Sequence, residues 1–264
     1  MIVKTDAIIL KSMKYRDTSK IVTMYTKEFG KLQGIAKGSR GLKSKFGSSL
    51  EPLMYSQVVM YKKENRDLHL LTQGTMIQSF NSFYSSLEHL SVAFALAELV
   101  HRITSHEEKN IPFFQLLLTT LSELDASDEP LKYLYAFEAQ IAQTMGFAPS
   151  LDKCARCGNP IDIDAVQSCE FHIEDGVLYC QDCTFQKHNG TLRIYEPSYT
   201  LDVQLSMQTL KMLRIFLQWN ISSLKTVHVD RTVGNEIENI LRCYLQHHFD
   251  DARPLHSLEL LHRI

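Results

Sequence analysis

Short apolar and β-branched runs, separated by glycine, proline and Asn-Asp turn signals, fill the first 80 residues. Ala7–Leu10 is apolar throughout, and Ile21–Thr26 (IVTMYT) is β-branched and aromatic, as strands favour. Gly30 punctuates the chain before Lys31–Ala36, which alternates in part, and Gly38, Gly41 and Gly47 mark a loop. Pro52 opens a fourth run, Leu53–Tyr61; the turn Asn65-Arg66-Asp67 precedes a fifth, Leu68–Ile77. Five short strands in about 75 residues predict an OB-type barrel, with an SH3-like barrel as the nearest alternative.

The period changes after Phe80. Leu87, Leu90, Phe94, Ala97 and Val100 recur at helical spacing. Ile111–Leu124, entered through Pro112, predicts a second helix, and Leu131–Met145, between Pro130 and Gly146, a third. Helical spacing returns at Ser206–Trp219 and Gly234–Phe249. The expected fold class is mixed α+β: an N-terminal OB-fold barrel, 1–80, then an α-helical domain, 81–148 and 191–264, with a cysteine-bearing insertion at 149–190.

Charge sharpens this division. Residues 1–80 hold eleven Lys and three Arg against three Asp and three Glu, whereas the rest holds 14 basic and 24 acidic residues. A basic module ahead of an acidic one points to a polyanionic partner for the first. From Gly30 to Leu50 there is no acidic residue, and Lys31, Lys37, Arg40, Lys43 and Lys45 alternate with glycines and serines. Small residues let the backbone approach phosphates and the cations neutralise them. Lys11, Lys14 and Arg16 add a second cluster at the first turn. Tyr15, Phe46, Tyr55 and Tyr61 offer stacking surfaces for unpaired bases; each also fits the barrel core, which is the favoured reading for Tyr55 and Tyr61. No run approaches the roughly 20 apolar residues of a membrane span. The first ten residues lack the layout of a secretory signal, so a cytoplasmic location without membrane attachment is expected.

Four of the six cysteines form two Cys-x-x-Cys pairs, Cys154/Cys157 and Cys180/Cys183, with twenty-two residues between the pairs. In a cytosolic chain this predicts a metal site rather than disulfides: one structural Zn²⁺ held by four thiolates. Glu170–Tyr179 is the hairpin between the pairs, turning at Asp175-Gly176. Cys169, His172 and His188 are substitute ligands by position, better read as packing or surface residues, and Cys243 sits in a helical pattern as a small hydrophobe. A closed four-cysteine site leaves no position for substrate. No P-loop, helix-opening Gly-x-Gly-x-x-Gly, His-Glu-x-x-His or Gly-x-Ser-x-Gly occurs. His247-His248 read as a solvated helix end, and Asp125, Asp128 and Glu129 as a solvent-facing loop. No constellation asks to be catalytic, so a non-enzymatic function is expected. Two other classes fit the residues less well: a scaffold whose basic loop binds an acidic protein, and a zinc-dependent hydrolase, which would need an open metal position.

Four stretches resemble the RecO family. AIILKSMKYRDTSKIVTMYTKEFGKLQGIAKGSRGLKSKF (7–46) is similar to its opening barrel and SSLEPL (48–53) continues it. GFAPSLDKCARCG (146–158) resembles the entry to its zinc region, and RPLHSLELLHRI (253–264) its closing helix. The resemblance implies DNA repair and recombination: binding of single- and double-stranded DNA, annealing of complementary strands, and nucleoid association. It implies partnership with RecR and docking of the C-terminal tail of single-strand-binding protein, and through these the loading of RecA. The expected DNA contacts are Lys11, Lys14, Arg16, Lys37, Arg40, Lys43 and Lys45. Arg102, Lys132 and Arg214 are candidates for the basic rim of the tail's groove.

Overall fold

A fourteen-residue strand, β1 (Ile2–Tyr15), organises the N-terminal barrel by serving two neighbours. Ile2–Ile8 pair with β4 (Tyr55–Tyr61) and Ala7–Tyr15 with β2 (Ser19–Thr26), both antiparallel. β2 pairs with β3 (Gly30–Ala36), β3 runs parallel to β5 (Leu68–Gln78), and β5 returns against β4. The order β1-β2-β3-β5-β4 closes on itself, so the five expected strands form the OB-type barrel. The apolar run Ala7–Leu10 marks only the middle of β1, where successive residues are buried; towards the chain start, exposed Lys4 alternates with buried Val3 and Thr5.

The computed structural model describes residues 1–41, 44–63, 66–164, 168–184, 202–249 and 255–258. Lys43, His188, and the closing stretch apart from 255–258 lie outside them. The chain divides into two units, Met1–Pro130 with Leu255–Ile264, and Leu131–Pro254.

In the first unit Val3, Ile9, Met24, Leu32, Val58 and Leu71 fill the barrel. Phe46, Leu50 and Met54, from the segment joining β3 to β4, enter the same core. Phe46, expected as a stacking surface, is thus a buried anchor of the basic loop. Outside the barrel, Tyr25 meets Phe113 edge-on at 5.3 Å and stacks on Phe114 at 6.4 Å. Both phenylalanines belong to α2 (Ile111–Asp125), which Asn110 caps by accepting from the Phe113 amide at 3.0 Å. Each such fully buried ring contributes roughly 1.5–3 kcal/mol of apolar burial. α1 (Leu87–Ile103) is capped by Ser86. The α1–α2 loop lies on β3: His106 bridges to Lys31, and the Glu107 amide donates to the Lys31 carbonyl at 3.0 Å. Gly30 is required there, because a Cβ at its φ of +66° would stand 2.0 Å from the Glu108 carbonyl oxygen. Asp125 does not face solvent as expected; it accepts from the Ser82 amide and hydroxyl at 2.8 and 2.7 Å. Of the closing stretch, His256–Leu258 form a 3₁₀ turn whose Ser257 hydroxyl donates to Glu98 at 2.8 Å.

The second unit opens with α3 (Pro130–Thr144). A sheet of order β6-β8-β7-β9 follows, built from β6 (Ser150–Cys154), β7 (Ser168–His172), β8 (Val177–Cys180) and β9 (Asp202–Ser206). β7 and β8 are the anticipated hairpin, turning through Gly176 at φ +64°. α4 (Met207–Gln218) and α5 (Arg231–His248) complete the unit. Phe171 of β7 packs on Tyr244 of α5 at 5.7 Å. His248 is no solvated terminus: its ring stacks on Phe147 at 4.4 Å. No described helix is long and apolar enough to cross a membrane.

Candidate nucleic-acid interface and metal centre

The turn from β1 to β2 carries Lys14 on its approach and Arg16 at its apex, both exposed. Arg16 adopts φ +52°, and its guanidinium lies 5.3 Å from the centroid of the Tyr15 ring. Arg40, from the segment after β3, closes onto this turn. Its amide donates to the Thr18 carbonyl at 3.0 Å, and its Nη1 to the carbonyls of Asp17 at 3.0 Å and Arg16 at 3.3 Å. The two basic clusters, distant in sequence, therefore meet at one end of the barrel. Lys37 is exposed at the end of β3, and Lys45 is exposed next to the buried anchor Phe46. Among the described residues, Lys14, Arg16, Lys37 and Lys45 make no ion pair, so their charge is available to a polyanion.

Other cations are placed differently. Lys11 faces Thr23 across a bulge in β1, whereas Lys14 faces Lys20, so Lys11 shares the outer face of the barrel and Lys14 does not. Lys20 is tied to Glu51 at 2.5 Å. Lys31, counted in the basic loop from sequence, is 7% exposed, and its Nζ donates to the His101 carbonyl at 2.6 Å. Tyr55 is half-buried and donates to Asp6, while Tyr61 is 44% exposed, opposite Ile2, rather than in the core. The three groove candidates are committed to structural roles. Arg102 pairs with Glu98; buried Lys132 donates to the Val227 carbonyl at 2.9 Å; Arg214 donates to the carbonyls of Leu151 and Ile161.

The four cysteines of the two pairs converge in the second unit. Their sulfurs lie within 4.8 Å of one another, with Cys154 and Cys183 buried and Cys157 exposed. Cys154 ends β6, and the chain turns tightly behind it: the Gly158 amide donates to the Cys154 carbonyl at 3.0 Å, with Gly158 at φ +75°. Cys180 ends β8, and a helical turn brings Cys183 back, with Arg156 Nη1 on the Cys183 carbonyl at 3.2 Å. Burial opposes ionisation of Cys154, but the amides of Cys157, Cys180 and Arg156 outweigh it and bring the thiol down to about 6. Burial raises Cys180, and hydrogen bonds with Cys183 offset part of that rise. The spacing suits a metal ion: tetrahedral bonds of about 2.3 Å to sulfur give edges near 3.8 Å, and Cys157 Sγ stands 3.8 Å from Cys180 Sγ. Cys169 and His172 stay out of the cluster; Cys169 is buried, its thiol pushed up to about 12, and His172 faces Asp175 and Asp202. Sequence spacing picked out all four cysteines of the cluster, but Arg40's role as a clamp carries no sequence signal beyond its charge.

Two family models match the chain: Recombination protein O N terminal over residues 1–80, and Recombination protein O C terminal over 84–259. Among relatives, a protein of Salinibacter ruber named DNA repair protein RecO is 30% identical over 266 residues, spanning 100% of this chain and 94% of its own. Proteins of the same name from Chlorobium limicola and Chloroherpeton thalassium are 34% identical over 218 residues (81% of this chain, 84% of theirs) and 30% over 268 (100% and 99%).

Proposed function

The chain belongs to the RecO family, and on that footing we propose that it is a non-enzymatic mediator of DNA repair and recombination. It binds single- and double-stranded DNA through the cations at the end of its barrel. It anneals complementary strands and, with RecR, helps RecA onto DNA coated by single-strand-binding protein. Its place of action is the cytoplasm, at the nucleoid.

The observation that carries this reading is the Arg40 clamp. It brings the segment that carries Lys37 onto the turn that carries Lys14 and Arg16, and all three cations are exposed. Annealing breaks and makes no covalent bond. Two phosphate chains repel, and contacts to the backbone screen that repulsion while base edges stay free to pair. Lys45, Lys43 and Lys11 extend the contact. Half-buried Tyr15, held beside Arg16, offers a ring face to an unpaired base. The acidic, apolar tail of single-strand-binding protein fits the groove of about 620 Å³ in the second unit, where Leu217 and Trp219 form an apolar wall. Cys154, Cys157, Cys180 and Cys183 would hold one Zn²⁺, whose contribution is structural, since four thiolates complete its coordination.

Annealing of complementary oligonucleotides coated with single-strand-binding protein tests the reading. The parent should accelerate it, and a folded Lys14→Glu/Lys37→Glu variant should lose most of the acceleration. Equal rates for the two proteins would remove the barrel end as the DNA contact. A parent that never accelerates would favour a scaffold role.

A further inference from the structure

Strand register sets Lys11 apart from the cations of the barrel end. Lys11 faces Thr23 on β2, Thr23 faces Gln33 on β3, and Lys31 lies two residues from Gln33. Residues opposite one another, or two apart on a strand, share a face. Lys11 therefore stands on the same outer face as Lys31, where α1 ends. There Lys31 Nζ donates to the His101 carbonyl, and His106 bridges to Lys31. Lys31, Lys11, His106 and Arg102 all act electrostatically on His101, and its Nδ1 is buried without a hydrogen-bond partner among the described residues.

Ordinary stabilisation accounts for part of this convergence. The C-terminal end of a helix attracts cations, and Lys31 serves a carbonyl there while Arg102 is paired with Glu98. Lys11 and His106 make no hydrogen bond or ion pair through their side chains among the described residues. Of the loop's own carboxylates, Glu107 is engaged with Lys62 at 2.7 Å and His69 at 3.2 Å, and Glu108 is exposed. Burial first, and then Lys31, Lys11, His106 and Arg102, hold the His101 pKa below its ordinary 6.5. Like charges gathered on a half-buried ring raise the free energy unless an anion offsets them.

We propose that Lys11, His101 and His106 form a second phosphate-contact site, which carries the DNA track from the barrel end over the outer face of the barrel and tightens as the two histidines gain protons. This rests on the reading of the first unit as a DNA-contacting module. A phosphate diester stays singly charged, and lysine stays cationic, between pH 6 and 8. A bound phosphate favours the imidazolium form of each histidine, so binding takes up protons and affinity rises as pH falls.

The test is fluorescence anisotropy of labelled oligothymidylate with the full chain at pH 6.0 and 8.0, at constant ionic strength. The parent should bind several-fold more tightly at pH 6.0. His106→Gln, at an exposed position that tolerates the change, and His101→Gln should each bring the ratio of the two Kd values towards one, and the double variant should abolish it. Equal Kd values for the parent at the two pH values, or an unchanged ratio in the double variant, would overturn the proposal. A parallel NMR titration with tripolyphosphate at pH 6.5 separates the two readings. Movement of the His101 and His106 ring signals without any DNA binding would retain the anion site and reject the DNA track. Unmoved ring signals would reject the site, whatever DNA does elsewhere on the barrel.

Discussion

Glu138, on α3, shows how far a single residue can depart from its ordinary chemistry. Burial pushes its carboxyl up to about 8; Arg242 on α5 draws it down and Glu238 raises it. Its Oε2 has no hydrogen-bond partner among the described residues. The folded-state pKa exceeds the ordinary carboxylate value, so between roughly pH 4.5 and 8 the folded chain holds a proton that the unfolded chain has lost. Stability from this group is therefore fully present below that window and falls as pH rises through it. Glu138→Gln keeps the shape and removes the titration. At pH 9 its melting temperature should exceed the parent's, by an amount on the order of a few kcal/mol in stability, and the gap should close towards pH 5. A difference in melting temperature that is the same at both pH values would refute this account. Residue type alone told little of such placements. Phe46 and Lys31 sit in a stretch that reads as an open basic loop, yet one is a core anchor and the other caps a helix carbonyl. Only the register of β3 and the packing of the segment after it decide which side chains remain in water.

At the scale of elements, what the sequence revealed depended on how local the signal was. Cys-x-x-Cys spacing fixes two ligands within one turn, so the four-cysteine cluster was legible in full. The hairpin between the pairs was legible too, because Asp175-Gly176 forces the turn. The flanking strands β6 and β9 were not, since five residues with no regular alternation give no period to read. The bulge in β1 was equally silent, although it decides that Lys11 and Lys14 serve different faces. These strands make the cysteine cluster part of a sheet packed on α5 through Phe171 and Tyr244, so loss of metal should be felt beyond the cluster. Cys154→Ser removes a buried cysteine of the cluster at the end of β6. Bound zinc, read by a colorimetric chelator, should fall from one equivalent to near zero, and the melting temperature should drop with it, because a structural site contributes its binding free energy to folding. Full zinc content and an unchanged melting temperature would contradict the assignment of Cys154 as a ligand.

The charge division was the feature of the whole chain most visible in the sequence, and it sets the last expectation. A net −2 conceals a first 80 residues with an excess of eight positive charges. Such an excess states that a polyanion is a suitable partner; it does not state how many phosphates are contacted, because Lys20, Lys31 and Lys62 are each committed within the fold. The structure leaves Lys14, Arg16, Lys37 and Lys45 exposed and without an acidic partner among the described residues. If these four each neutralise one phosphate, the logarithm of the binding constant for single-stranded DNA should fall with the logarithm of salt concentration at a slope near −3, from about 0.7 per contact. Removing two of them in Lys14→Gln/Lys37→Gln should halve that slope to about −1.4. A lower affinity with the slope unchanged would mean that these lysines act through the fold rather than on phosphate. A slope near zero in the parent would mean that the positive excess of the barrel serves no nucleic acid.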